Sequence, residues 1–378
     1  VSSSNAKEGA DTRWDLGGGD MDRLLAEAKA SKGESLWNDS LRRLKANRPA
    51  WWSLRFLGLF ALMSILAPLL PLRSPVAVNT ASGAQAPALV WGDGQYMADV
   101  AAGDDITERN IQDSYWELSA LDKTLIHARV GIFGRWQTGH WLGTDHLGRD
   151  LLSRLIWGSR TSILVALAAT FCSLLIGVVY GAFSGLSGGR VDNLMMRVVD
   201  VLYSIPFIFV VIFLITLIGD YRMLLEEKMG LDREKVFYLV IGAIYWLTMA
   251  RVVRGQVLSL KNSEFVEASR VLGASTARIL FQHIVPNVLS IVVVYLTLTI
   301  PSVMLFEAFL SFLGLGIEPP KVSWGTIAVE ATSAINPLRL FWWMVVFLAM
   351  AMGSALLALN ILGDGLRDAL DPRMRGKD

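Results

Sequence analysis

Long apolar runs separated by short polar stretches set the pattern of this chain, and six runs are long enough to cross a bilayer as helices. Trp51 to Pro71 is the first, about 30 Å long if helical. Thr161–Leu186, Val198–Gly219, Val236 to about Val253, Val288–Leu313 and Phe341–Gly363 follow. Pro206 and Pro301 fall inside runs and predict kinks, where neighbouring helices satisfy the freed carbonyls. Arg251 and Arg254 close the fourth run and must snorkel toward one interface. The fold class expected is all-α, a polytopic membrane protein of six transmembrane helices.

The polar stretches differ in kind. Residues 1–50 mix charges with Gly17-Gly18-Gly19, show no signal-peptide pattern, and hold a segment from Met21 to Ala46 that can form an amphipathic helix. Residues 72–142 are rich in Gly, Asp and Ala; tethered at both ends, they are expected to form a small surface subdomain of unassigned fold. Residues 263–287, SEFVEASRVLGASTARILFQHIVPN, are a helix-forming polar island between two apolar runs. Asn262 or Ser263 can cap a first short helix, Glu264 and Glu267 suit its positive end, and Gly273 stands where a left-handed terminator is wanted. Ser275 can cap a second short helix through His283, with Pro286 and Asn287 opening the next run. Phe265, Ala268 and Leu272 make one apolar stripe, and Ala277, Leu280 and Ile284 another. The pair of helices predicts a knob that seats in a pocket of another protein.

Composition agrees with a membrane protein: 53% of residues are hydrophobic and 18% charged, with a mean hydropathy of +0.44. A net charge of +1 leaves no basic excess for phosphates, so nucleic acid is not an expected partner. The single cysteine, Cys172, excludes an intramolecular disulfide and a cysteine metal site. Trp51, Trp52, Trp342 and Trp343 end apolar runs, as an interfacial aromatic belt requires. Lys and Arg crowd the approach to the first run (Arg42, Arg43, Lys45, Arg48), the loop 254–287 and the tail, and are sparser in the two short loops on the other side. Both termini are therefore expected in the cytoplasm, with the 263–287 loop.

Several motifs carry a resemblance. Glu267-Ala268-Ser269, Gly273 and Ile284-Val285-Pro286 resemble the EAA loop of ABC-importer permeases, with Ser269 where Ala is usual. Gly143-Thr144-Asp145-His146-Leu147-Gly148-Arg149-Asp150 resembles the GTDxxGRD segment of the oligopeptide and dipeptide branch, in its C-type subunit. Gly188–Asp192 with Met196, Arg197 and Asp200, the stretch from Leu310 to Gly325, and Asn360–Asp368 with Asp371-Pro372 extend the likeness over residues 143–375. The resemblance implies a type I importer permease in the bacterial cytoplasmic membrane. Its implied partners are a homologous permease, two ABC ATPases, an extracytoplasmic solute-binding protein and the lipid bilayer. No cofactor is expected in this chain, ATP and Mg residing on the ATPases. The implied coupling residues are Glu267, Ala268, Ser269, Gly273, Ile284 and Pro286, and the implied outer-face motif is Gly143, Thr144, Asp145, Gly148, Arg149 and Asp150. The organisation expected is an N-terminal segment 1–50, a first span 51–71, an outer-face insertion with the GTDxxGRD turn 72–160, a five-helix core 161–363 and a tail 364–378.

Residue by residue, blander chemistry competes. Asp145, His146 and Asp150 match no standard metal spacing and read better as a self-bonded turn, so no metal site is expected. Glu307, inside the fifth run with Pro301, either lines a translocation path or bonds a neighbouring helix; Asp200 is expected to pair with Arg197. No catalytic residue is expected. Gly376-Lys377 is followed by Asp378, so no P-loop is present. Gly185-Leu186-Ser187-Gly188 resembles an intramembrane protease motif, but His127, His140, His146 and His283 are all read as lying outside the spans. Two other classes stay open: an ion-coupled secondary transporter using Glu307 and Asp200, and a scaffold or sensor whose binding surface is residues 72–142.

Overall fold

A computed structural model describes residues 36–80, 83–88, 115–116, 118–134, 136–221, 227–228, 233–333, 335–336 and 339–370. Regular structure among these residues is helical except for one hairpin, in which Ile335 pairs with Leu340 and Asn336 with Arg339. The chain enters through α1 (Leu36–Ala46) and α2 (Arg48–Ile65). Asn47 separates them and accepts a hydrogen bond from the Ala50 N–H, which starts α2. After α3 (Ala120–Phe133), α4 (Leu151–Cys172) passes through a π-helical stretch, Ser173–Gly177, into α5 (Val178–Ser187). Then come α6 (Gly189–Ser204), α7 (Phe207–Asp220), α8 (Arg233–Leu260), α9 (Glu264–Val271) and α10 (Thr276–Arg278). A second π stretch, Ile279–Ile284, leads into α11 (Val285–Phe312), followed by α12 (Trp324–Ser333) and α13 (Trp342–Leu370).

Among the described residues, four unbroken helices are long and apolar enough to cross a membrane: Leu151–Ser187, Glu234–Leu260, Thr276–Phe312 and Trp342–Leu370. The third expected run is a broken pair instead, Gly189–Ser204 and Phe207–Leu217, bent by 85°. The break falls at Ile205-Pro206, where proline has no N–H for the preceding helix. The expected first run is helical only to Ile65; residues 66–71 form turns, and Arg48 and Arg55 make α2 less apolar than the four spans. Pro301 lies within an uninterrupted α11.

Tight packing of α5 on α8 organises the bundle. Gly177, Gly181 and Gly185 recur every four residues and face α8. A Cβ at Gly181 would run into the Ala250 carbonyl, so the two backbones approach as closely as they do only because it has none. The larger core joins α4, α8, α11, α12 and α13 through residues such as Ile241, Met304, Trp324 and Met344. A second core lies at one end of the bundle: Val178, Ala182, Val253 and Val257 meet Val266, Ile279, Leu280 and Ile284. That core is what holds the 263–287 loop.

Candidate functional site: the polar loop, its anchor and the Gly143–Asp150 turn

The loop begins where α8 ends. Ser263 occupies the N-cap position of α9, but its hydroxyl donates to the Leu260 carbonyl at 2.6 Å instead of capping the new helix. Glu264 and Glu267 in the opening turns leave the positive helix end compensated. The end of α9 is a Schellman turn: the Gly273 N–H reaches the Arg270 carbonyl at 2.9 Å and the Ala274 N–H reaches Ser269 at 3.0 Å. That turn places Gly273 at φ +78°, as the sequence predicts. Ser275 then caps α10 by accepting from the Arg278 N–H at 3.3 Å.

The second short helix does not stop at His283. It runs on as one helix from Thr276 to Phe312, so His283 lies within it and Pro286 sits in the first turn of α11. The π stretch just before Pro286 accommodates its missing N–H, and Asn287 donates its side-chain amide to the His283 carbonyl at 2.6 Å.

The stripes also sort differently from expectation. Val266 is fully buried, together with Ile279, Leu280 and Ile284. Phe265, Ala268 and Ala277 face outward, as do Val271 at 88% and Leu272 at 86% exposure, and Phe281 at 57%. The reason is geometric: the core at this end has room for one α9 side chain, Val266, and nothing in the described chain receives the opposite face. Ser269 turns its hydroxyl back to the Phe265 carbonyl at 2.7 Å, so a serine is accommodated where the resembling motif has alanine.

Under the loop lies an ion pair the sequence reading missed. Asp192 of α6 accepts from both Arg254 Nε at 2.5 Å and Arg254 Nη2 at 2.6 Å, and Ser184 donates to it at 2.6 Å. This clamp joins the end of α5, the start of α6 and the last turns of α8, so Arg254 is held rather than left to snorkel. Asp200 pairs with Arg251 of α8 at 2.9 Å, not with Arg197 of its own helix. Arg251 also lies 4.2 Å from the centroid of the Tyr203 ring on α6, a cation–π contact. A signal existed in principle, since Arg251 and Arg254 sit on one helix three residues apart, but their partners are distant in sequence.

On the opposite side of the membrane core, the Gly143–Asp150 turn is fully bonded. Gly143 and Gly148 take φ +82° and +77°. Buried Asp145 accepts from the N–H groups of Leu147 at 2.8 Å and Arg149 at 3.0 Å, and from the Arg149 and Arg154 side chains at 2.6 and 2.5 Å. Both arginines reach Glu330 on α12. Asp150 caps α4 through the Ser153 N–H at 2.8 Å and meets His140 at 3.0 Å, while His146 is exposed. Thr144 exchanges hydrogen bonds with Gln85 and accepts from Trp343 Nε1 at 3.0 Å through its carbonyl. The turn therefore ties α4, α12 and α13 together at this end of the bundle. Its carboxylate oxygens are committed to N–H groups and guanidinium, which leaves them poorly placed for a metal ion.

Glu307 is completely buried and accepts hydroxyl bonds from Ser162 at 3.0 Å, Ser311 at 3.0 Å and Ser323 at 2.7 Å. It ties α4 and α11 to the loop before α12; Pro301 is also buried. Neither lines the cavity of about 440 Å³ at the α6–α7 break, whose walls include Tyr203, Pro206, Phe207, Tyr245, Thr248 and Phe306.

Helices long and apolar enough to cross a membrane, packed as one bundle with a polar, core-anchored loop at one end, define a polytopic membrane protein. Residues 177–376 match the family of the binding-protein-dependent transport system inner membrane component, and residues 35–87 match the N-terminal TM domain of oligopeptide transport permease C. The chain belongs to this family of importer permeases. It is 38% identical to the oligopeptide transport system permease protein OppC of Haemophilus influenzae, over 91% of both chains. Identity is 39% to OppC of Escherichia coli, over 93% of this chain and 96% of that one. The dipeptide transport system permease protein DppC of Bacillus subtilis is 45% identical over 62% of this chain and 69% of its own length. Among solved structures, a chain of the MetNI methionine ABC transporter in an inward-facing form aligns over 58% of this chain and 98% of its own. The TM-score is 0.46 and the identity 19%.

Proposed function

We propose that this chain forms, with a homologous permease, the membrane pathway of an ATP-driven importer for peptides or similar small solutes. It would be driven by two cytoplasmic ATPases that dock on the 263–287 loop, and supplied by an extracytoplasmic solute-binding protein. Both termini and the loop lie in the cytoplasm of a bacterial cell. The peptide class follows from the names of the relatives. The carrying observation is the loop itself: Val271, Leu272 and Phe281 expose an apolar knob from a polar segment whose root, Val266, is locked into the core. An exposed apolar patch on a rigid mount is what a protein partner recognises. ATP and Mg belong to the ATPases in this reading, and the chain itself works by packing differently in two states.

The ion-coupled alternative is weaker. Glu307 is satisfied by three hydroxyls and Asp200 by Arg251, and the two lie in separate clusters. Uptake of a labelled peptide into proteoliposomes holding the whole complex separates the two readings. Uptake that requires ATP and stops with vanadate supports the importer; uptake that continues without ATP and collapses with a protonophore overturns it.

A further inference from the structure

Three cations on the first two helices have no acidic partner among the described residues. Lys45 lies in the last turn of α1, and Arg48 and Arg55 lie two turns apart on α2; all three are exposed. The nearby carboxylate, Asp39, is already shared by Arg42 and Arg43 at 2.9 and 3.1 Å. Two tryptophans gather two of the three, and Arg48 lies one turn before them on α2. Lys45 Nζ lies 5.7 Å from the centroid of Trp51, and the Arg55 guanidinium lies 5.1 Å from Trp51 and 5.0 Å from Trp52. Trp52 itself is 64% exposed.

Depth makes this arrangement informative. Arg55 stands about 10 Å along the helix axis from Arg48, and beyond it Phe56, Leu59, Leu62, Met63 and Ile65 continue an exposed apolar face. That face suits lipid tails, and a guanidinium at its border is costly unless an anion meets it. Its stem can run back along the indole rings to the headgroup level, where tryptophan itself prefers to sit. A phosphodiester supplies the missing negative charge and acceptor oxygens for the guanidinium fork.

We propose that Lys45, Arg48 and Arg55, floored by Trp51 and Trp52, bind the headgroup of an anionic phospholipid at the α1–α2 end of the bundle. The site is independent of what the pathway carries. It makes one membrane surface a specific ligand of the permease and fixes the angle at which α1 leaves the bilayer.

The test uses the full complex, purified in detergent and incubated with vesicles of equal phosphatidylglycerol and phosphatidylcholine. Lipid retained after size exclusion is then counted by mass spectrometry. The wild type should retain the anionic lipid over the neutral one by about fivefold or more, and added inorganic phosphate should not abolish the preference. K45Q/R48Q/R55Q should bring the ratio close to one, whereas R55K should keep most of it. Equal retention by the wild type, or an unchanged ratio in the triple variant, overturns the site. So does displacement by inorganic phosphate alone. If the triple variant sheds the homologous permease with lipid selectivity intact, the face is a protein interface and the proposal fails. Should that variant not accumulate, R55Q alone must lower the ratio, and no change again overturns it.

Discussion

Asp145 shows how much one side chain can be asked to hold. It is wholly buried, yet it receives two backbone N–H groups and two guanidinium groups, and Arg154, only 2% exposed, carries the connection on to Glu330. Removing a cation from such a buried network leaves charge uncompensated, at about 3–5 kcal/mol. Arg154→Met should therefore lower the detergent-solubilised unfolding temperature far more than Arg149→Met, whose side chain is partly exposed. Equal losses would mean that burial is not what decides the cost. Gly273 is the opposite case, a residue chosen for what it lacks. At φ +78° a β-branched side chain is strained by about 1–2 kcal/mol, while asparagine tolerates the conformation. Gly273→Val should reduce co-purification of the ATPases and Gly273→Asn should largely preserve it; the same pull-down reads both. GTDxxGRD was legible as a bonded turn because glycines and short acids announce one. Glu330, more than 170 residues away, announced nothing.

At the scale of elements, α9 has two faces with separate jobs. Val266 roots it in the core, and the exposed Val271 and Leu272 point away. Val271→Asp combined with Leu272→Asp should leave insertion and monodispersity unchanged while abolishing ATPase association. Val266→Asp should instead damage folding, because a carboxylate would be buried without a partner. Fluorescence-detected size exclusion with ATPase pull-down distinguishes them, and a silent double variant would falsify the docking role of this face. Periodicity located α9 and its glycine terminator well, since these are local signals, while the side-chain cap expected at Ser263 is not made. It misassigned the buried side because a helix with apolar residues on two faces does not state which one its own chain will cover. Periodicity likewise treated Ile279–Ile284 as the end of a short helix, where the structure carries a π stretch through to Phe312.

For the whole molecule, orientation is the property on which the proposed assembly depends. In a Cys172→Ser background, a cysteine at Gln85 should react with a membrane-impermeant maleimide added to intact cells, and a cysteine at Ser275 only after permeabilisation. Both positions are exposed, so access and not burial is what the reagent reports. Labelling of Ser275 in intact cells would place the loop outside and remove the ATPase reading. The spans themselves were mostly visible in the sequence, because length and apolarity are what a bilayer demands. The 85° break was not, as proline marks a possible kink without stating its angle.

The sequence by itself determined the membrane class, most of the crossings, the Schellman terminus at Gly273 and the self-bonded turn at Gly143–Asp150. Each depends on neighbours within a few residues or on mean hydropathy over a span. Only the tertiary structure decided that Arg254 belongs to Asp192 and Arg251 to Asp200, that Glu307 is enclosed by three serines, and that Val266 faces inward. It also decided that Lys45 and Arg55 gather around two indole rings. Those outcomes depend on which helices lie side by side, and that choice is made by packing surfaces such as the Gly181–Ala250 contact, where close approach of two backbones selects one neighbour and its charges.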